Sequence, residues 1–302
     1  MTFDNQKYKE IKKLIEYDLY KIENNLTDFY CGNDTLQKNL TEIIKAPSKR
    51  IRPVVAILYL KMYGCEITQK QIDIQTAVEL IHNATLIHDD VIDKSDLRRS
   101  HNTLNKDFDN SLAVVTGDFL LSVAIKKLLN IESFEILSTF NVAIKKMCIG
   151  EIEQYFNKFK LINFDEYLDK CKHKTSELFM ASLVCSAILA DIDKNSAKDF
   201  AKRFGIAFQI RDDLLNVIDT TSDKPINNDI TDGIYTAPMI FAKDIKNINY
   251  GIEKTVNLLD NYINRVKKCL DKAPENDYKQ ALLTLIDLLK VEKWKKTKLQ
   301  KK

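Results

Sequence analysis

The chain of 302 residues carries 46 basic and 43 acidic side chains, a formal net charge of +3, and only 7 glycines and 5 prolines. So few turn-formers exclude a strand-rich fold with many short connections and point to long helices, that is, an all-α protein. The near balance of charge excludes a general field for nucleic acid or an acidic membrane, so any charge chemistry must be local.

In chain order, the amino terminus MTFDNQKYKEIKKL is charged throughout and lacks the apolar core of a secretory leader. Apolar residues then recur at helical spacing over 11–26, and again over 51–62, where Pro53 suits a first helical turn. The segment 69–93 contains neither Gly nor Pro and is apolar at nearly half its positions. It predicts a largely buried helix of about 25 residues, roughly 37 Å long. Further helical patterns cover 110–129, 134–156, 164–189, 196–219, 251–270 and 278–289, with turn signals such as CGND and SDKPINND between them. No repeat or composition break marks a linker, so 1–302 reads as a single domain, its motif-bearing core at about 49–238 and a basic tail at 291–302. The tail reads as a solvated helix end. Six cysteines stand far apart, with no CxxC pair and no His at ligand spacing, which fits a reduced, cytoplasmic protein. No run approaches the eighteen apolar residues of a membrane span, so no transmembrane segment is expected.

Two acidic clusters stand out. In HDDVID, Asp89 and Asp93 are four residues apart and leave a helix on one face, where they can share a cation, with Asp90 beside them. In QIRDDLLN, Asp212 and Asp213 repeat the spacing, ending in the amide of Asn216. Both clusters lie in apolar surroundings, where uncompensated carboxylates are costly to bury, so something positive sits between them. Hard oxygen donors without thiolates or imidazole pairs suit Mg²⁺, which completes its shell with water and substrate phosphate; a diphosphate is the natural third party. Cationic side chains gather in short groups: Lys49, Arg50 and Arg52, then Arg98 and Arg99, then Lys174 and Lys224. Each group alone reads as surface solvation. Beside metal-carboxylate sites, however, cations are what two diphosphates require. His82, seven residues before Asp89, points to nearly the same helix face.

LIHDDVIDKSDLRR and FQIRDDLLN resemble the first and second aspartate-rich motifs of the trans-isoprenyl (polyprenyl) diphosphate synthases. SKRIRP, GDFLLSVA, GEIEQ, KTSELF and KPINNDITDGIYTAP follow the same family's order, so the resemblance runs from Lys49 to Pro238. It implies an isoprenoid-synthase fold, a helical bundle around a deep central cavity, usually a homodimer. It also implies head-to-tail condensation of isopentenyl diphosphate with an allylic diphosphate, farnesyl or geranyl. By the resemblance, Asp89, Asp93 and Asp212 hold three Mg²⁺, with Asp90 and Asp213 nearby. Lys49, Arg52, His82 and Arg99 bind isopentenyl diphosphate; Arg98, Lys174 and Lys224 bind the allylic diphosphate; Thr175 and Gln209 lie close to the carbocation. Four positions depart from the family pattern: Ser48 and Ser100 replace glycines, Asn216 an aspartate and Ile234 a lysine over the leaving diphosphate. A terpene cyclase would not need the isopentenyl diphosphate site, and a non-catalytic subunit of a two-chain synthase usually loses acidic motifs that are intact here.

The tunnel for the growing chain is expected to pass Ile81, Ala84 and Thr85, since short-chain members carry an aromatic block at the last two positions. On the helix carrying GEIEQ, Gln154, Glu151, Met147, Ile144, Phe140 and Leu137 form one stripe. Phe140 and Leu137 then fall roughly 16 and 21 Å below Glu151, a floor that suits a product of about thirty to forty carbons. Phe140 reads equally well as core packing, and a short-chain product is the alternative.

Overall fold

The computed structural model describes residues 5–99, 101–218 and 228–291. The run expected as one helix over 11–26 is two, α1 (Asn5–Lys13) and α2 (Glu16–Asn25), because Ile15 leaves helical geometry at ψ 22°. Ile11 and Ile15 are both buried in the core. A further helix, not among the expected elements, is α3 (Asp34–Lys45), which starts where the Asn33 side chain accepts the Leu36 N–H. Next come α4 (Ile51–Met62), buried everywhere except Lys61, and α5 (Gln69–Ile92), where the Gln71 side chain accepts the Thr68 N–H at 2.7 Å.

Two-residue strands β1 (Leu97–Arg98) and β2 (His101–Asn102) pair antiparallel, the only sheet among the described residues. After them run α6 (Leu104–Asp107), α7 (Asn110–Leu129), α8 (Phe134–Phe156) and α9 (Phe164–Cys171). A π-helical turn (Lys172–Ser176) joins α9 to α10 (Glu177–Leu189), and α11 (Lys194–Ile218) follows. The last elements are α12 (Asn228–Thr231), α13 (Ala237–Ala242), α14 (Ile248–Lys268) and α15 (Asp277–Asp287). Val291 apart, the basic tail lies outside the described residues.

The centre of the bundle is α4, α5 and α10, surrounded by the other long helices, and its buried apolar residues form one continuous core. Tyr59, Phe179, Phe200 and Phe204 stack there with ring centroids 5.2 to 6.0 Å apart. Two glycines set approaches that bear on the site. A Cβ at Gly117 would lie 2.2 Å from the His88 ring, so its absence lets α7 lie close against the acidic end of α5. A Cβ at Gly205 would lie 2.6 Å from the Ser176 Cα, so α11 packs directly on the π-helical turn.

By contrast, α7 and α8 scarcely touch each other, and both leave apolar faces outward: Val115 and Leu129 on one, Val142, Ile152 and Phe156 on the other. Among the described residues no helix is long and apolar enough to cross a membrane. All six cysteines are free thiols.

Candidate active site

A cavity of ≈660 Å³ opens between α4, α5, α7, α8, the π-helical turn and α11. Asp89 of α5 and Asp212 of α11 both line it, so the two acidic motifs, 123 positions apart in sequence, meet at one opening. Burial in the cleft pushes the Asp89 carboxyl up to about 6, reinforced by Glu151 and Asp93 and opposed by Lys174. Asp212 is likewise pushed up to about 6 by burial, against the pull of Arg211 and Lys49. Asp93 caps the end of α5, and burial, Glu151 and Asp232 raise it too. These carboxylates resist ionisation where they stand, which is the environment a bound cation would relieve.

The second aspartate of each pair does other work, because one residue along a helix turns the side chain by about 100°. Asp90 is buried and gripped by Arg98, whose Nε and Nη2 lie 2.8 and 2.7 Å from its Oδ1. Arg98 is thereby turned away from the cavity it was expected to serve. Asp213 is buried and accepts from Tyr167 Oη and Gln209 Nε2, both at 2.7 Å. Gln209 in turn accepts from the Thr175 hydroxyl, so Asp213 anchors the two polar groups expected beside the carbocation. Asn216, one turn beyond Asp212, has a buried side-chain oxygen with no hydrogen-bond partner.

Cations occupy two sides. On one, Lys49, Arg52, His82 and Arg99 line the cavity together. Arg52 is buried, with its guanidinium 5.0 Å from the Phe179 ring and its Nε without a hydrogen-bond partner. His82 is held well below the ordinary imidazole range, by burial first and then by Arg52, Arg99, Arg98 and Arg50, so it meets a ligand as the neutral ring. Arg50 lines the cavity as well, but Glu23, Glu79 and the Ile44 carbonyl already engage its guanidinium. On the other side, Lys174 sits on the π-helical turn 2.9 Å from Glu151, and its charge reaches Asp89 and Asp93. Lys224 and Ser100 lie outside the described residues. Ile234 lines a second cavity of ≈210 Å³ with Tyr235, Lys170, His173 and Gln154, the last of which donates to Glu151 of the main cavity, and Ile234 is not among the residues lining the cavity of Asp89 and Asp212.

Below the acidic motifs the walls turn apolar. Ile81 and Thr85 line the cavity as expected, at the helical spacing that continues to Asp89, whereas Ala84 faces the core and does not. Met147 and Ile144 continue the wall on α8, and Leu121 closes it from α7. The lining ends there. Phe140, one turn below Ile144, is fully buried in the core, and Leu137 packs beside the core below it. Cys148 and Ile152 of α8 line the cavity and are exposed.

Three site residues escaped sequence reading. Glu79 carried a signal, a carboxylate one turn before His82 on an otherwise apolar face. Arg211 precedes Asp212 and its charge bears on that carboxyl, yet adjacency alone does not mark it. Tyr167 gave no signal, since its contact with Asp213 spans 46 positions.

A family model described as polyprenyl synthetase matches residues 33–275. The chain is 31% identical to a decaprenyl-diphosphate synthase of Dictyostelium discoideum, over 93% of this chain and 71% of that protein. It is also 31% identical to an octaprenyl diphosphate synthase of Haemophilus influenzae, over 91% and 94%. In structure it superimposes with TM-score 0.84 and 26% identity on a polyprenyl synthase of Caulobacter crescentus complexed with calcium and isoprenyl diphosphate, covering 93% of this chain and 97% of that one.

Proposed function

The chain belongs to the polyprenyl synthetase family and is a trans-prenyltransferase making medium- to long-chain polyprenyl diphosphates, and on that basis we propose how its own residues divide the work. The observation that carries the proposal is the meeting of Asp89 and Asp212 at the opening of a cavity whose depth is apolar.

Asp89, Asp93 and Asp212 are the ligands for Mg²⁺, three ions by the family resemblance. The donor set fits: hard oxygens on three carboxyls raised by burial, with the Asn216 oxygen unpartnered one turn along. Among the described residues no three His, Cys, Asp or Glu side chains are gathered to hold a metal by themselves, so Mg²⁺ would need water and substrate phosphate to complete its shell. Bound Mg²⁺ would supply Lewis-acid charge at the leaving diphosphate. Lys174 neutralises charge developing on the same oxygens, with Lys224 and Arg98 assigned to that diphosphate from the resemblance. For Arg98 the role requires release from Asp90.

Lys49, Arg52 and Arg99, with neutral His82, bind isopentenyl diphosphate. The allylic carbon–oxygen bond opens with its electron pair leaving on the diphosphate, the allylic cation alkylates the isopentenyl double bond, and the tertiary cation so formed loses a proton to the released diphosphate to give the new allylic double bond. Thr175 and Gln209, held by Asp213, present oxygen dipoles to that cation, and Phe208 with the apolar wall excludes water that would quench it. The growing chain descends past Thr85 and Ile81 toward the Leu121–Ile144 floor, reaching about thirty to forty carbons where that floor yields. A second copy seated on the outward apolar faces of α7 and α8 makes the functional unit a homodimer, and the free cysteines suit the cytoplasm.

The test is incubation of the purified protein alone with geranyl or farnesyl diphosphate, labelled isopentenyl diphosphate and Mg²⁺, with mass analysis of products and light scattering for the oligomer. Absence of incorporation at saturating Mg²⁺ would sink the catalytic reading, and a monomeric active enzyme would remove the dimer.

A further inference from the structure

The loop 47–50 that leads into α4 delivers Lys49 and Arg52 to the cavity, and Arg50 between them behaves differently. Arg50 adopts left-handed backbone geometry, φ 52° and ψ 40°, which a non-glycine residue keeps only when its surroundings hold it. Its surroundings do. Nε and Nη2 form a fork on Glu23 at 2.7 and 3.0 Å, Nη1 donates to Glu79 at 3.0 Å, and Nη2 also donates to the Ile44 carbonyl at 2.6 Å. A guanidinium has five N–H groups, so these four bonds leave at most one for a ligand. Arg50 is 5% exposed, and two carboxylates neutralise it.

The loop has a second tether. Tyr8 of α1, 6% exposed, donates its hydroxyl to the Lys49 carbonyl at 2.6 Å. Glu23 belongs to α2, which the Asp18–Lys61 ion pair, 3.0 Å, fastens to α4. Both tethers therefore come from helices that precede every recognisable motif.

We propose that α1 and α2 clamp the loop from outside: Tyr8 directly, and Glu23 through Arg50, are positioning residues for the isopentenyl diphosphate site. The clamp rests on the assignment of Lys49 and Arg52 to that site. The Lys49 ammonium comes from a loop outside regular structure and the Arg52 guanidinium from the first turn of α4, yet both must meet one diphosphate, and the two outside tethers fix the loop against that turn before the ligand arrives.

The experiment uses the full chain with Tyr8→Phe and Glu23→Gln, and Lys49→Ala in parallel. Tyr8→Phe removes one oxygen; Glu23→Gln keeps the side chain's size and a hydrogen-bond acceptor but takes one of two charges from buried Arg50, so the melting curve separates loss of stability from loss of positioning. Steady-state rates are measured with isopentenyl diphosphate varied at saturating allylic diphosphate, then the reverse, with a melting curve for each variant. The clamp predicts a KM for isopentenyl diphosphate raised about fivefold, the loss of one hydrogen bond, with kcat and the allylic KM within about twofold. Lowered melting with an unchanged isopentenyl KM, or an equal loss for both substrates, overturns it. If Lys49→Ala raises that KM while Tyr8→Phe and Glu23→Gln do not, the clamp alone fails. If Lys49→Ala leaves it unchanged, the site assignment fails instead.

Discussion

Replacing Thr85 with Phe places an aromatic ring four residues, about 6 Å, below Asp89 on the face of α5 that lines the cavity. The space from there to Ile81, a further 6 Å or so, is then closed to the growing chain. The change removes only a bond within the helix, from the Thr85 hydroxyl to the His82 carbonyl at 2.8 Å, a loss of about 0.5–1.5 kcal/mol. The neighbouring change Ala84→Phe is the control. Ala84 is 0% exposed and faces the core, so a ring there overpacks by about 1–3 kcal/mol without entering the cavity. At this chain length that lowers Tm by roughly 2–4 °C per kcal/mol. Products made from geranyl diphosphate and excess isopentenyl diphosphate are sized by mass spectrometry, alongside melting curves. Thr85→Phe should stop at about fifteen to twenty carbons with little change in Tm, and Ala84→Phe should keep the parental lengths with a lower Tm. Shortening by Ala84→Phe but not by Thr85→Phe would refute the path of the chain along α5.

Asp89→Ala and Asp212→Ala should each lower kcat on the order of a hundredfold or more with the fold retained, as read by single-turnover rates and circular dichroism. Ile144→Ala should lengthen the products by opening the floor onto Phe140, whereas Phe140→Ala alone should cost about 3–5 kcal/mol in a denaturant titration and leave product lengths unchanged. Ile234→Lys should change the Mg²⁺ dependence of the rate by less than about twofold, because Ile234 lines the second cavity with Lys170 and Tyr235; a larger gain would mean that the side chain reaches the diphosphates.

The sequence by itself determined the helical class and the span of α5, α7 and α8 to within a residue, and it singled out the two acidic motifs. Those are properties of spacing: a period of 3.6, a cap, and carboxylates four residues apart on apolar helices need no knowledge of what lies opposite. The break at Ile15 left no mark in the spacing, since Ile11 and Ile15 keep the period of an unbroken helix, whereas α3 was legible in Leu36, Leu40 and Ile44 behind the Asn33 cap and was not among the expected elements. Which member of each pair faces the cavity was decided only by tertiary structure. Asp90 and Asp213 have the same composition around them as Asp89 and Asp212, yet Arg98 and Tyr167 claim them from elsewhere in the chain. The same holds for Ala84 against Thr85, where a rotation of one residue separates core from cavity, and for Arg50 against Arg52, which both line the cavity although Glu23 and Glu79 neutralise the first guanidinium while the Nε of the second has no hydrogen-bond partner. A hydrogen-bond partner dozens of positions away leaves no periodic trace, and packing alone decides which of two identical side chains it takes.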